Sequence, residues 1–390
     1  MLLKKRPNWV PPHLWLRLLR LKDRKKYYRR QVVRFFKYPA LAIAYARYRS
    51  AIEKADWKLV KQRVFELKDI ATRVGDKRVI LEIVHALDRI GCHRESGRLW
   101  IEHLAQYENR FSNEWRGEDL SKKNVLIVLD RIAGGGLGIG YRCAPIIPRV
   151  MTIAKNVSII VEPRLLKIFH QNFPGASIFS SDKENIIGPI DYMISPANLL
   201  ARFAPENGLS DPGFRPLIAD SEKTTRLRKK YLNKYGDNKP LIGICWHSSH
   251  HGKDLPSIKQ WHDFIYSRNA VFFSLQYGDV AADVEKLGPG RVMVDETINQ
   301  LVDMDDFAAQ VSALDGVITI MNTLVHVAGS LGVPTVVLRD DWFRRDLPFL
   351  SDSLPWYPNL RAAGKNGREW NLVFCEAYEK LKQLIASPRP

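Results

Sequence analysis

The sequence predicts an α/β protein with two parallel sheets in tandem behind a short helical region, and three observations predict it. Short apolar, β-branched runs recur through residues 119–390, as parallel strands covered on both faces require. Helical periods separate these runs, and strands alternating with helices imply parallel sheets rather than hairpins. Between the two series lies Gly236-Asp237-Asn238-Lys239-Pro240, a cluster of turn formers read as a hinge.

The elements follow in order. Residues 1–45 read as a basic amphipathic leader and residues 46–118 as helical hairpins. One hairpin runs from Ala86, Leu87, Ile90 and Gly91 to Glu95, Ser96 and Trp100, and a less regular one spans Ala55 to Ala71. In residues 119–235 the strands are Asn124–Leu129, Val157–Val161, Ala176–Phe179 and Ile190–Ile194, and a Lys/Arg-rich helix, Glu222–Lys234, leads to the hinge. In residues 236–390 they are Leu241–Trp246, Val271–Leu275, Arg291–Val294, Gly316–Ile320 and Thr335–Leu338, closed by a helix from Trp370 to Ile385.

Composition bounds the function. With 45% hydrophobic and 26% charged residues over 390 positions, the chain is long enough for two or three domains with real cores. No apolar run reaches the length of a membrane span. A cleavable signal peptide is not expected, because arginines interrupt Leu14-Trp15-Leu16-Arg17-Leu18-Leu19-Arg20. Cys92, Cys143, Cys245 and Cys375 are scattered without metal spacing, which suits buried free thiols in a reducing compartment. The net charge of +18 is uneven: residues 1–40 hold thirteen basic residues against Asp23, a net +12. Interleaved Trp9, Trp15, Leu16, Leu18, Leu19, Tyr27, Tyr28, Phe35 and Phe36 suit the interface of an anionic membrane. The same segment could cover part of the fold as a solvated helix or meet nucleic acid phosphates. The membrane surface is the reading carried forward, with no nucleic acid expected.

The most informative stretch is Leu301–Thr335. Met321-Asn322-Thr323 stands where the strand Gly316–Ile320 ends and a helix with Leu324, Val327, Ala328 and Leu331 at helical spacing begins. A helix N-terminus at the carboxyl end of a parallel strand offers unpaired N–H groups and partial positive charge, a seat for phosphate. His247, His250 and His251 share one loop without a carboxylate at helical spacing, so no metal is expected. The glycines from Gly134 to Gly140 are neither a dinucleotide fingerprint nor a P-loop.

Asn322–Pro334 resembles a block of bacterial GT-B glycosyltransferases that ends in H-x-A-G-A-L-G-x-P, of the tetratricopeptide-associated and heptosyltransferase-like (glycosyltransferase family 9) kind. Leu241–Ser249 is similar to that family's h-G-h-x-W-x-G/S opening of the donor domain, and Phe273–Gly278 to its h-S-L-Q-x-G. Asp305–Ala308 matches an acidic helix start, and Pro355–Pro358 the pattern p-W-Y-P. These matches keep the family's order over roughly the last 150 residues, with weaker echoes back to about residue 120. The 86–100 hairpin is similar to a tetratricopeptide unit.

The resemblance implies a GT-B fold, two Rossmann-like domains facing a cleft, with residues 119–235 on the acceptor side and 236–390 holding a nucleotide-sugar. It implies an inverting, metal-independent hexosyl- or heptosyltransferase with the nucleotide-sugar as co-substrate and no other cofactor. The acceptor would be an envelope glycan or lipid-linked glycan of lipopolysaccharide type, and the protein would be cytoplasmic, peripheral on a bacterial inner membrane. Donor contacts fall on Ser248, Ser249, Lys253, Gln276, Tyr277, Gly278, Asn322, Thr323 and His326, with Lys253 on the diphosphate. The acceptor-side loop is Gly136, Gly138 and Gly140, but Ile139 stands where the family carries an acid. The base that takes the acceptor proton is therefore sought among Asp130, His247 and His250. A protein acceptor such as a flagellin or adhesin is the alternative substrate, and a non-catalytic scaffold the alternative class.

Overall fold

The computed structural model describes residues 38–54, 56–103, 113–130, 136–180, 188–204, 214–248, 254–340, 353–354 and 357–389. Most of the basic leader lies outside them. The chain divides into two compact units, Met1–Ile83 and Val84–Pro390.

In the first unit, helix α1 (Pro39–Glu53) starts on a proline, whose missing N–H is no loss in a first helical turn. Helix α2 (Trp57–Val74) is capped by Asp56, which accepts from the Leu59 N–H at 3.0 Å, and ends at Gly75 in the left-handed conformation. The two pack together through Leu41, Ala44, Tyr48 and Ala51 of α1 and Val60, Val64, Leu67 and Ala71 of α2. Their spacing of three and four residues makes one apolar stripe per helix. Among the described residues the first helix starts at Pro39, so residue 45, the expected end of the leader, falls within α1.

Helix α3 (Lys77–Arg89) runs across the division, and α4 (His93–His103) follows it. The first sheet holds β1 (Asn124–Val128), β2 (Asn156–Val161), β3 (Ser177–Ser180) and β4 (Tyr192–Ile194), parallel in the order β3-β2-β1-β4. Its helices are α5 (Leu137–Cys143), α6 (Ile147–Met151), α7 (Leu166–Asn172) and α8 (Pro196–Phe203). Helix α4 packs on α8, and a Cβ added at Gly97 would lie 2.6 Å from the Ala201 nitrogen and 2.7 Å from the Ala197 oxygen. The second helix of the predicted 86–100 hairpin therefore packs on the first sheet's own layer. The small residue that permits this approach is Gly97.

After α9 (Ser221–Tyr235) come β5 (Leu241–Cys245), α10 (Ile258–Tyr266), β6 (Val271–Ser274), α11 (Ala281–Leu287), β7 (Val292–Met293), α12 (Met304–Ser312), β8 (Gly316–Ile320), α13 (Thr323–Ser330), β9 (Thr335–Arg339), β10 (Ser353–Leu354), β11 (Tyr357–Gly364) and α14 (Trp370–Ala386). The second sheet runs β10-β11-β9-β8-β5-β6-β7, parallel except for β10 against β11. Every residue of β5, β8 and β9 is buried, which is why these strands read as unbroken apolar runs. In β2 exposure alternates, so one face of the first sheet is less covered. Among the described residues no helix is long and apolar enough to cross a membrane.

Helix α9 is fastened to the second sheet's layer. Lys223 bonds Asp305 and Asp306 at 2.7 and 2.5 Å, Arg228 bonds Asp315 at 2.8 Å, and Lys230 and Tyr231 bond Asp295 at 2.9 and 2.7 Å. Burial alone would raise the Asp295 carboxyl, but hydrogen bonds from Thr297, Lys230 and Tyr231 hold it below the usual carboxylate range.

Candidate functional site

In an open parallel sheet, connections leaving neighbouring strands in opposite directions open a crevice at their carboxyl ends. The second sheet has that switch between β5 and β8: β5 is followed by β6 on one side, while β8 continues to β9 on the other. Cys245 at the end of β5 faces Thr319 of β8 in register, and Asn322 follows two residues after β8. A cavity of about 320 Å³ opens there, within the range of small-ligand sites.

Hydrogen bonds among neutral groups fix this wall. Asn322 caps α13, its side-chain oxygen accepting from the Leu324 N–H at 3.0 Å, and its Nδ2 donates to the Cys245 sulfur at 2.9 Å. The Cys245 thiol donates to Gln276 Oε1 at 3.0 Å, and that oxygen also accepts from the N–H groups of Trp246 and His247 at 3.2 and 2.8 Å. The ends of β8, β5 and β6 are thereby tied in one chain, which leaves Ser248, Tyr277, Asn322 and Thr323 lining the cavity.

The opposite wall comes from the first sheet. Helix α5 begins after Gly136, at φ 137°, and its first turn lies on the start of α13: a Cβ at Gly138 would stand 3.5 Å from the His326 ring and 3.7 Å from Thr323 Oγ1. At Gly140 an added Cβ would stand 2.5 Å from the Leu165 Cδ1, so a side chain there would require that leucine to turn. Leu137 and Arg164 reach the cavity from this side. Arg164 sits just past β2, where Glu162 accepts from its N–H at 3.2 Å and from its Nε at 2.7 Å. Its Nη1 stands 3.5 Å from the carbonyls of Gln300 and Leu301.

The expected site residues sort by this geometry. Ser248, Tyr277, Asn322 and Thr323 share the cavity. Gln276 stands behind it, its oxygen committed to the turn after β5. His326 is buried one turn deeper, with Nδ1 3.2 Å from the Tyr357 hydroxyl, and does not line the wall. Gly278 has φ 86° with open space where a side chain would be. Asp130 is buried just past β1, and His247 is exposed just past β5; neither lines the cavity. Ile139 packs against the core, so the position where an acid was expected serves packing. Ser249, His250 and Lys253 lie outside the described residues.

The acidic helix start at Asp305 and Asp306 is capped by Asp303, which accepts from the N–H groups of both. Burial would raise the Asp303 carboxyl, but the ammonium of Lys167 at 2.8 Å and those two N–H groups hold it below the usual range. The carboxylates of Asp303, Asp305 and Asp306 lie within 4.8 Å of one another, with their charge met by Lys167 and Lys223. The two hydrogen bonds push the Lys223 ammonium well above its ordinary pKa. Of the thiols, Cys143 and Cys245 are buried, as expected. Cys375 is a correction: it is exposed on α14, beside the Arg268 guanidinium at 3.2 Å. Sequence reasoning also missed Arg164, although Glu162-Pro163-Arg164 stands at a strand's carboxyl end, where ligand contacts concentrate.

Two parallel sheets whose carboxyl edges share a cleft make this a GT-B fold. The glycosyl transferase family 9 protein of Veillonella parvula superposes with a TM-score of 0.51 at 12% identity, over 69% of this chain and 98% of that one. E. coli ADP-heptose lipopolysaccharide heptosyltransferase II gives 0.46 at 10% identity, over 67% and 98%, a likeness too weak to argue from. In sequence, the chain is 26% identical over 317 residues to the protein FlbA of Caulobacter vibrioides, covering 72% of this chain and 50% of that one. It thus spans about half the length of that relative. No family model matches the chain.

Proposed function

We propose that the protein is an inverting, metal-independent glycosyltransferase that moves a hexosyl or heptosyl group from a nucleotide-sugar to an envelope glycan or lipid-linked acceptor. The cavity at the β5/β8 switch point carries this reading: it lies against the capped start of α13 and is faced by the first sheet's glycine turn. There the acceptor oxygen attacks the anomeric carbon from the face opposite the leaving group and gives its proton to a base, sought among Asp130, His247 and His250. The bond from that carbon to the phosphate oxygen breaks, and its electron pair leaves on the nucleoside diphosphate. Donors on the α13 turn, with Lys253, would meet the developing charge in place of a metal. Exposed Leu301 and Val302 beside the cavity favour a lipid-linked acceptor, and the leader, residues 1–45, would hold the protein on anionic lipid.

The test is thermal unfolding with UDP, ADP, GDP and CMP, where a ligand at about 100 times its Kd stabilises by about 2.7 kcal/mol. A shift with one nucleotide, followed by transfer from its sugar derivative, supports the reading. No shift with any of the four favours a scaffold. For the leader, sedimentation with anionic vesicles should fall steeply with salt. Salt-independent sedimentation would remove that part.

A further inference from the structure

Among the described residues lining the cavity, Arg164 alone carries a charge. The wall facing it offers hydroxyls and amides from Ser248, Asn322 and Thr323, and the rest is largely apolar. A guanidinium there must be held in place, and Glu162 does so by accepting from its Nε at 2.7 Å. That geometry leaves the Nη fork directed across the cleft, where Nη1 reaches two carbonyls only at 3.5 Å, the outer limit of a hydrogen bond. A planar fork presented this way matches the paired oxygens of a phosphate, which would give shorter, charge-assisted bonds than the carbonyls do.

We propose that Arg164 is a specificity-determining residue of the nucleotide site. It takes an oxyanion of the donor's diphosphate from the acceptor-side sheet, so the diphosphate is held from both sheets at once. The proposal rests on the nucleotide-sugar reading above and assigns to one side chain the difference between a diphosphate and a shorter anion. As the sugar leaves, charge accumulates on that diphosphate. A fixed guanidinium then favours the transition state over the bound donor.

Calorimetric titration tests it with adenosine, uridine and guanosine, each as nucleoside, monophosphate and diphosphate, and with inorganic pyrophosphate. Arg164→Gln should weaken the best diphosphate and pyrophosphate about tenfold or more while leaving the matching nucleoside within about twofold. Arg164→Lys, which keeps the charge and loses the fork, should fall between. Circular dichroism and unchanged nucleoside binding show that each variant is folded. If Arg164→Gln binds the diphosphate as the parent does, or loses nucleoside equally, the proposal fails while the nucleotide reading stands. If the parent binds none of the probes, this proposal fails, and the nucleotide reading fails with it when CMP also goes unbound.

Discussion

Where the seven-stranded sheet meets the cleft, its edge is knit by hydrogen bonds among neutral groups: Asn322 caps α13 and reaches Cys245, and Cys245 reaches Gln276. Where the four-stranded sheet meets it, there is no such chain among the described residues; the glycine-bearing first turn of α5 lies on the start of α13, and Arg164, the one charged side chain among the described lining residues, is held by Glu162. The first edge is rigid because each polar group holds a neighbour. The second is close because side chains are missing. A binding wall is thus built by satisfaction on one side and by omission on the other, and substitutions should separate the two.

The largest effect is expected where omission is strictest, in the packing of α4 on α8, whose residues do not line the cavity. At Gly97 the atoms that a Cβ would meet are backbone and cannot turn aside, so Gly97→Val should cost about 3 kcal/mol or more in a urea titration. A loss below about 1 kcal/mol would show that α4 can move off α8.

On the other edge, His326→Ala removes a buried ring beside Tyr357, and about 2 kcal/mol of stability should go with it. Thr323→Val keeps the volume and removes a hydroxyl from the cavity. It should leave stability unchanged while weakening nucleotide by roughly 1 kcal/mol. Reversed outcomes, with His326 governing affinity and Thr323 governing stability, would put the histidine in the wall after all.

The smallest effect concerns pH. The Asp303 carboxyl is held below the usual value of about 3.9, so its contribution is complete above about pH 5 and fades as pH falls through the folded value. Lys167 is largely exposed, which limits the contribution to less than about 1 kcal/mol. In Asp303→Asn the fall in urea midpoint below about pH 4 should be shallower than in the parent. Parallel curves would mean that the pair between the sheets adds nothing.

The strands that could be read from sequence are those whose burial on both faces leaves an apolar run, such as Val271–Ser274 and Gly316–Ile320. The strand Tyr357–Gly364 could not, because Pro358, Asn359 and Arg361 interrupt it; it forms by pairing Leu360–Gly364 with Thr335–Arg339. The cap at Asn322 was legible because its signal is local. Arg164 was not, since nothing within residues 162–164 reveals that a second sheet's loop at Gln300 and Leu301 will stand opposite. Gln276 and His326 were legible as important positions. Their part in holding the wall from behind depends on Cys245 and Tyr357, 31 residues away in each case.

The bonds that fasten α9 to the second sheet have a mechanical consequence. Gly236–Pro240 looks like the flexible joint, yet the helix before it is clamped through Asp295, Asp305, Asp306 and Asp315 to the same body as the strand after it. Immediately upstream, the Ile218 N–H and carbonyl bond Asn172, and the Ala219 carbonyl bonds Gln171, both of the first sheet's α7. The chain therefore passes from one body to the other over residues 217–221, for the Leu217 N–H already bonds the Ser330 carbonyl of α13 at 2.7 Å. A swing of one sheet against the other would strain that doubly bonded stretch, with α9 carried along as a stiff arm of the second body.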